Sequence, residues 1–178
     1  MKKKINKQVS ELIPGEARVL DVGCSKGDFL FEIYPKITYG LGIDINPKKI
    51  KSAQANSYNY KSIEFIVGNL SKIELNSHFD YSILKFVIHS IEYYEQIQLL
   101  KSVSKYSDNI IIVDFVPTNS LLSKCLINID EVLAGHYSKF KKYLGKGMEQ
   151  LIKNSGLDID KKINGIYDFY NIWKINDS

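Results

Sequence analysis

The chain has 178 residues, a formal net charge of +4, 44% hydrophobic and 25% charged residues, a balance that excludes general disorder and a membrane class. Two cysteines, Cys24 and Cys125, cannot build a disulfide framework and lack a CxxC spacing or a His and Cys cluster for zinc, so reduced thiols and no metal are expected. The positive charge comes from lysine, with Arg18 the sole arginine, which weakens a nucleic-acid reading because arginine is what forks onto phosphates and guanine edges.

The length fits one domain over residues 1–178. No apolar run is long enough to span a bilayer, and no basic start precedes a signal core, so a cytoplasmic location is the default expectation. A helix-compatible segment from Lys3 to Leu12 meets Pro14-Gly15, which punctuate it. A-R-V-L-D-V is a short apolar run suited to a buried strand, and F-L-F-E-I-Y after Asp28 carries a compact helical face that stops at Pro35. T-Y-G-L-G-I-D-I is strand-like again, and Asn46-Pro47 supplies an N-cap and a first-turn proline for a helix through about Asn56.

The alternation continues with S-I-E-F-I-V-G-N-L and F-D-Y-S-I-L-K-F-V-I as strands, a helix from about Ile91 to Tyr106, and N-I-I-I-V-D-F-V as a strand. Continuous apolar strands separated by helices predict parallel strands covered on both faces. After Pro117 a helical, polar stretch runs to about Gly156, with a possible helical lid at about 118–144. L-D-I-D-K-K-I and Y-D-F-Y-N-I-W-K-I then alternate as an antiparallel pair, and Asn164-Gly165 between them is a hairpin signal, since both tolerate positive φ. The predicted fold is doubly wound α/β: a mostly parallel seven-stranded sheet, helices on both faces and a C-terminal antiparallel hairpin.

In such sheets ligands sit at the carboxyl ends of strands, at the switch point of strand order. V-L-D-V-G-C-S-K-G-D occupies the first strand-to-helix turn, where Gly23 and Gly27 allow close backbone approach. A βα turn alone also favours glycine, so the pair leaves a structural and a ligand-binding role open. The dinucleotide fingerprint fails, because positions 23, 25 and 28 read Gly, Ser and Asp, and Lys26 lacks the context of a Walker lysine. Asp44 stands at the end of the next strand, 23 positions after Asp21, and a carboxylate there can accept from both hydroxyls of a ribose. It can equally cap the helix at Pro47.

These segments together resemble the class I S-adenosylmethionine-dependent methyltransferases. V-L-D-V-G-C-S-K-G is similar to the family's first motif with Ser25 for its middle glycine, and G-L-G-I-D-I-N to its second strand. F-I-V-G-N-L is similar to the third, with Asn69 where Asp is frequent, and F-D-Y-S-I-L-K-F-V-I-H-S-I to the fourth. The resemblance implies S-adenosylmethionine as cofactor, with the backbone around Gly23, Cys24, Ser25 and Gly27 lining its methionine and Asp21 supporting the turn. It further implies Asp44 on the ribose, Ile45 on the adenine face, Asn69 and the Leu70 N–H on the adenine edge, and the Lys85 carbonyl on the methionine ammonium. Ser25 is tolerable in this scheme if its φ stays negative.

Methyl transfer needs a base only where the acceptor must lose a proton. His89, just beyond the fourth strand, is a candidate base or positioning group, or else a helix-capping or buried histidine. His136 and Tyr137, in the region similar to the lid of small-molecule members, are candidate acceptor contacts or plain structural residues. His78 is expected in a solvated loop. No Asn-Pro-Pro-Tyr or Asp-Pro-Pro-Tyr follows the fourth strand, where Lys85-Phe86-Val87-Ile88 stand instead. A small-molecule acceptor is therefore expected, the alternatives being RNA, protein, or a non-catalytic partner subunit.

Overall fold

The computed structural model describes residues 1–133 and 135–176. Its sheet has seven strands in the order β3-β2-β1-β4-β5-β7-β6. β1 (Ala17–Val22), β2 (Ile37–Asp44), β3 (Ile63–Val67), β4 (Phe79–Lys85) and β5 (Ser107–Phe115) run parallel. β7 (Tyr170–Asn176) enters antiparallel between β5 and the edge strand β6 (Ile159–Asn164). The chain builds outward from β1 to β3 and then returns to lay β4 beside β1, which opens the crevice between them.

Both faces of the central strands are apolar, as the sequence pattern requires. Val19, Ile83, Ile111 and Ile172 face one layer, which is covered by α1 (Lys2–Ser10), α2 (Asp28–Ile33) and α3 (Pro47–Asn56). Their neighbours Leu20, Leu84, Ile112 and Trp173 face the other, under α4 (Tyr93–Val103), α6 (Tyr137–Lys146) and α7 (Met148–Asn154). The helical region after Pro117 resolves into α5 (Leu121–Leu133), α6 and α7. None of the described helices is long and apolar enough to cross a membrane.

Local signals account for several boundaries. Asn46 Oδ1 accepts from the N–H groups of Lys48 and Lys49 at 3.0 and 3.3 Å, with Pro47 in the first turn of α3, as the cap pattern requires. Lys36 Nζ donates to the carbonyls of Ser10 and Ile13 at 2.6 and 2.8 Å, satisfying acceptors at and just beyond the end of α1.

The hairpin expectation needs correction in its turn. Asn164 pairs with Asn171 inside the ladder, Gly165 N–H donates to the Tyr170 carbonyl at 3.1 Å, and neither Asn164 nor Gly165 has positive φ. The chain instead reverses over residues 166–169. Glycine is needed at 165 for another reason: a Cβ there would stand 2.4 Å from the Tyr170 carbonyl oxygen. Gln8 of α1 stabilises this reversal by accepting from the Tyr170 hydroxyl at 2.6 Å, so α1 is moored to the far side of the sheet as well as to α2.

Candidate functional site

The turn after β1 lies at the switch point, and its backbone is left-handed at alternate residues: φ is 76° at Gly23, 55° at Ser25 and 81° at Gly27. Gly23 and Cys24 donate to the Ile43 carbonyl at 2.7 and 3.1 Å, pinning the turn to the end of β2. A Cβ on Gly23 would stand 2.4 Å from Val87 Cγ2, and one on Gly27 would meet the Phe65 ring at 2.4 Å. Both glycines are therefore fixed by conformation and by space.

Ser25 departs from expectation, since its φ is positive rather than negative. A left-handed non-glycine residue costs about 1–2 kcal/mol. Its amide gains a partner in return, donating to Asp44 Oδ2 at 2.9 Å. The local path is thus the one a glycine would take, adopted by a serine small enough to follow it.

Asp44 closes β2, and its second oxygen, Oδ1, accepts from Asn46 N–H at 2.8 Å. One carboxylate therefore ties the first turn to the entry of α3 while keeping lone pairs free for hydroxyl donors. Ile45 beside it is 71% exposed. Asn69 Oδ1 accepts from Ser71 N–H at 3.0 Å, leaving one lone pair on that oxygen, and Leu70 is buried. Gly68 N–H donates to the Asp44 carbonyl at 3.1 Å, so Asp44 and Ile45 at the end of β2 and Asn69 and Leu70 after β3 stand on adjoining strand ends, a shelf whose exposed apolar side chain is Ile45.

On the other side of the turn is a cavity of about 340 Å³. Its floor holds Asp21, Gly23, Cys24, Ser25 and Lys85, and Phe29, Phe86, Phe115 and Phe169 form much of its wall, closed by Ile5 and Asn6 of α1. Gly27 and the shelf residues do not line it. Burial lifts the Asp21 carboxyl to about 6, against a smaller opposing pull from Lys85. Burial also pushes the Cys24 thiol up, so it stays protonated.

Phe86, just past β4, is left-handed with φ 56°, which is unusual for a bulky residue. Its amide donates to the Val113 carbonyl at 2.8 Å, and its ring lies 4.9 Å from that of Phe115. The strained conformation sets Phe86 over the cavity and Val87 over Gly23.

His89 is buried and does not line the cavity. Its Nδ1 lies 2.6 Å from Asp114 Oδ1 and its Nε2 3.3 Å from Glu131 Oε1 of α5. Burial opposes a charge on the ring, but the two carboxylates outweigh it and raise the imidazole to about 10. The geometry therefore favours the buried alternative over a base at neutral pH. His136 stands at the N-cap position of α6 without a side-chain capping bond, Tyr137 is exposed beside it, and neither lines the cavity. His78 pairs with Asp108 at the surface.

Sequence reasoning missed the side chains of Asn6, Lys85, Phe115 and Phe169 as cavity groups. Only the N-terminal mooring of α1 and the long-range β5–β7 pairing bring them together, and no local motif marks either.

The turn, the two carboxylates and the apolar shelf fit a ligand with a ribose, a flat heterocycle and a short polar chain. A family model described as "Methyltransferase domain" matches residues 14–162. O-methyltransferase 9 from Dictyostelium discoideum is 27% identical over 159 residues, covering 85% of this chain. The chain spans 40% of that relative's length. Magnesium protoporphyrin IX methyltransferase from Synechocystis PCC 6803, solved with S-adenosylhomocysteine, aligns over 99% of this chain and 81% of its own, with TM-score 0.67 and 17% identity. The N-methyltransferase NodS from Bradyrhizobium japonicum, also with S-adenosylhomocysteine, aligns over 98% and 86%, with TM-score 0.72 and 15% identity. With most of its length inside the family model and its sheet in the same fold as these enzymes, the chain belongs to the class I S-adenosylmethionine-dependent methyltransferases.

Proposed function

We propose that the chain transfers a methyl group from S-adenosylmethionine to a small, flat, largely apolar acceptor. The observation that carries this reading is the shared cavity, in which the glycine turn and Asp21 stand on the same space as four phenylalanines. The nucleoside would lie on the shelf, with Asp44 on the ribose, Ile45 against the adenine, and Asn69 and the Leu70 N–H on its edge. The methionine end would enter the cavity over Gly23, Cys24 and Ser25, which line it.

When bound, S-adenosylmethionine supplies an electrophilic methyl on a good leaving group, so the protein's task is alignment and removal of water. Phe29, Phe86, Phe115 and Phe169 exclude water and orient a planar acceptor. His89 is not a proton acceptor in this reading. As a cation between Asp114 and Glu131 it fixes α5 against β5 and so sets Phe115, whose ring lies 4.8 Å from the imidazole. His136 and Tyr137 mark the joint between α5 and α6, from which the helical segment at 118–144 would open as a lid. An acceptor whose nucleophile carries a free lone pair at neutral pH suits a site with no such base.

Labelled S-adenosylmethionine incubated with the protein and parallel pools of small aromatic acceptors, RNA and total protein tests the acceptor class. Label is expected in the small-molecule pool. Label confined to RNA or protein would overturn the reading.

A further inference from the structure

The outer face of α5 is apolar, and no described residue covers it. Leu121, Ile129, Val132 and Leu133 are 81%, 54%, 59% and 81% exposed, and the Cys125 thiol is exposed among them. Positions 121, 125, 129 and 132 follow helical spacing, so these side chains share one face, with Leu133 at its edge. The opposite face holds α5 to the protein: Glu131 reaches the His89 imidazole, and Ile127 packs against both core layers. Folding therefore leaves the outer strip unexplained. A single exposed apolar side chain is ordinary, but five along one helix mark an interaction surface.

The strip ends where basic charge begins. Gly135 turns the chain with φ 76°, and α6 follows with Lys139, Lys141, Lys142 and Lys146 and no acidic residue. Tyr137 stands at the junction, and Lys141 Nζ lies 5.8 Å from the centre of its ring. Among the described residues, Lys142 is the one lysine of α6 paired with a carboxylate, Glu92 at 3.6 Å on the surface. Most of the charge is therefore uncompensated. Aliphatic tips continued by a tyrosine and lysines suit a bilayer surface: the tips enter the acyl boundary, the ring stays at headgroup level, and the lysine stems carry their charge to anionic headgroups. A second copy would present the same surplus of positive charge, whereas an anionic bilayer offers the opposite sign.

We propose that α5 and the start of α6 seat the protein on an anionic lipid surface, with Leu121, Ile129, Val132 and Leu133 in the acyl boundary and the α6 lysines on the headgroups. The contact is peripheral, because none of the described helices is long and apolar enough to cross a membrane. It goes beyond the reaction proposed above and does not rest on it. Its link to the site is the helix itself, whose inner face carries Glu131 against His89, and the His89 ring lies 4.8 Å from that of the cavity-wall residue Phe115. Seated in this way, α5 has lipid on one face and the support of the cavity wall on the other, which suits an apolar acceptor dissolved in the bilayer.

Co-sedimentation of the full chain with vesicles tests the seat and needs no turnover. With vesicles of three parts phosphatidylcholine to one part phosphatidylserine the protein is expected to pellet. With pure phosphatidylcholine, or at molar salt where the Debye length falls to about 3 Å, it is expected to stay in the supernatant. Lys139→Gln combined with Lys141→Gln should weaken binding about five- to thirtyfold, and Leu121→Ser combined with Leu133→Ser by about tenfold or more. None of these side chains is buried, so both variants should melt as the native chain does, which separates lost seating from lost folding. No pelleting with the anionic vesicles, equal pelleting with neutral ones, or pelleting that neither variant weakens would overturn the proposal. So would a chain that sediments as a dimer without lipid and becomes monomeric on the leucine substitutions, because a second copy would then be what covers the strip.

Discussion

The amide of Ser25 donates to Asp44 Oδ2 at 2.9 Å, while Asn46 N–H donates to the other oxygen at 2.8 Å. The carboxylate that ends β2 therefore shapes the turn after β1, and ligand binding and local stability share one side chain. Asp44→Ala is expected to lower stability by about 1–3 kcal/mol, because two partly buried N–H groups lose their acceptor. The same change should weaken S-adenosylhomocysteine at least tenfold. Thermal melts and calorimetry on one preparation check both. A variant that melts lower yet binds normally would reduce Asp44 to a structural role.

Ser25 stores strain that a glycine would not. Ser25→Gly keeps the amide that meets Asp44 and removes the left-handed penalty of about 1 kcal/mol. For a chain of this size a gain of that order raises the melting temperature by about 2–4 °C. Ser25→Val, β-branched in a left-handed position, should lower it by more. A melt unchanged by both substitutions would show that the turn relaxes freely.

Much of the fold was legible because its signals are local. Val19-Leu20, Ile83-Leu84 and Ile111-Ile112 read as strands buried on both faces, and each pair does divide between the two layers. Asn46-Pro47 marked the start of α3 for a reason that the cap hydrogen bonds bear out. Asn164-Gly165 misled because the demand on Gly165 is the close approach of Tyr170, a contact that no dipeptide rule contains. In the site, the glycine turn and Asp44 were visible through their spacing. The sign of φ at Ser25 and the strained Phe86 were not, because each is imposed by hydrogen bonds to a neighbouring strand. The contact of Lys85 with Asn6 was not legible either, because α1 and β4 meet only in the fold.

His89 bridges Asp114 and Glu131 at 2.6 and 3.3 Å, and Glu131 Oε2 has no hydrogen-bond partner among the described residues. Removing the imidazole leaves two carboxylates buried without a cation, so His89→Ala is expected to cost about 3–5 kcal/mol. The pH dependence has a definite sign. The imidazole is raised to about 10 from an ordinary 6.5, so its contribution is fully present below about pH 6.5 and is lost as pH rises through about 10. Chemical denaturation between pH 6 and 10.5 should show a loss at the alkaline end that the variant lacks. A methyl-transfer profile that falls with a group near 6.5 and flattens in a His89 variant would instead restore the histidine as a base.

Asp21 titrates in the accessible range, since burial lifts it from 3.8 to about 6. The raised value makes its stabilising contribution to the ligand-free chain present below about pH 3.8 and lost as pH rises through 6, so Asp21→Asn should melt higher than the native chain at pH 8. Ligand binding runs the other way. If the ionised carboxylate receives the methionine ammonium, affinity for S-adenosylhomocysteine should be level above pH 6 and fall as pH drops through it, by up to about tenfold per unit. Calorimetry from pH 5 to 8 reads this directly, and Asp21→Asn should bind more weakly with a flat profile. The same slope in the variant would assign the proton to another group.

In the proposed reading the glycine turn, Asp44 and the phenylalanine-lined cavity together form one cofactor site. Titration of the purified chain with S-adenosylhomocysteine tests it most directly. Saturable binding at one site per chain is expected, strongly weakened by Asp44→Ala and by Gly23→Ala, whose added methyl would collide with Val87. Absence of any heat of binding at millimolar ligand, from protein that melts cooperatively, would contradict it.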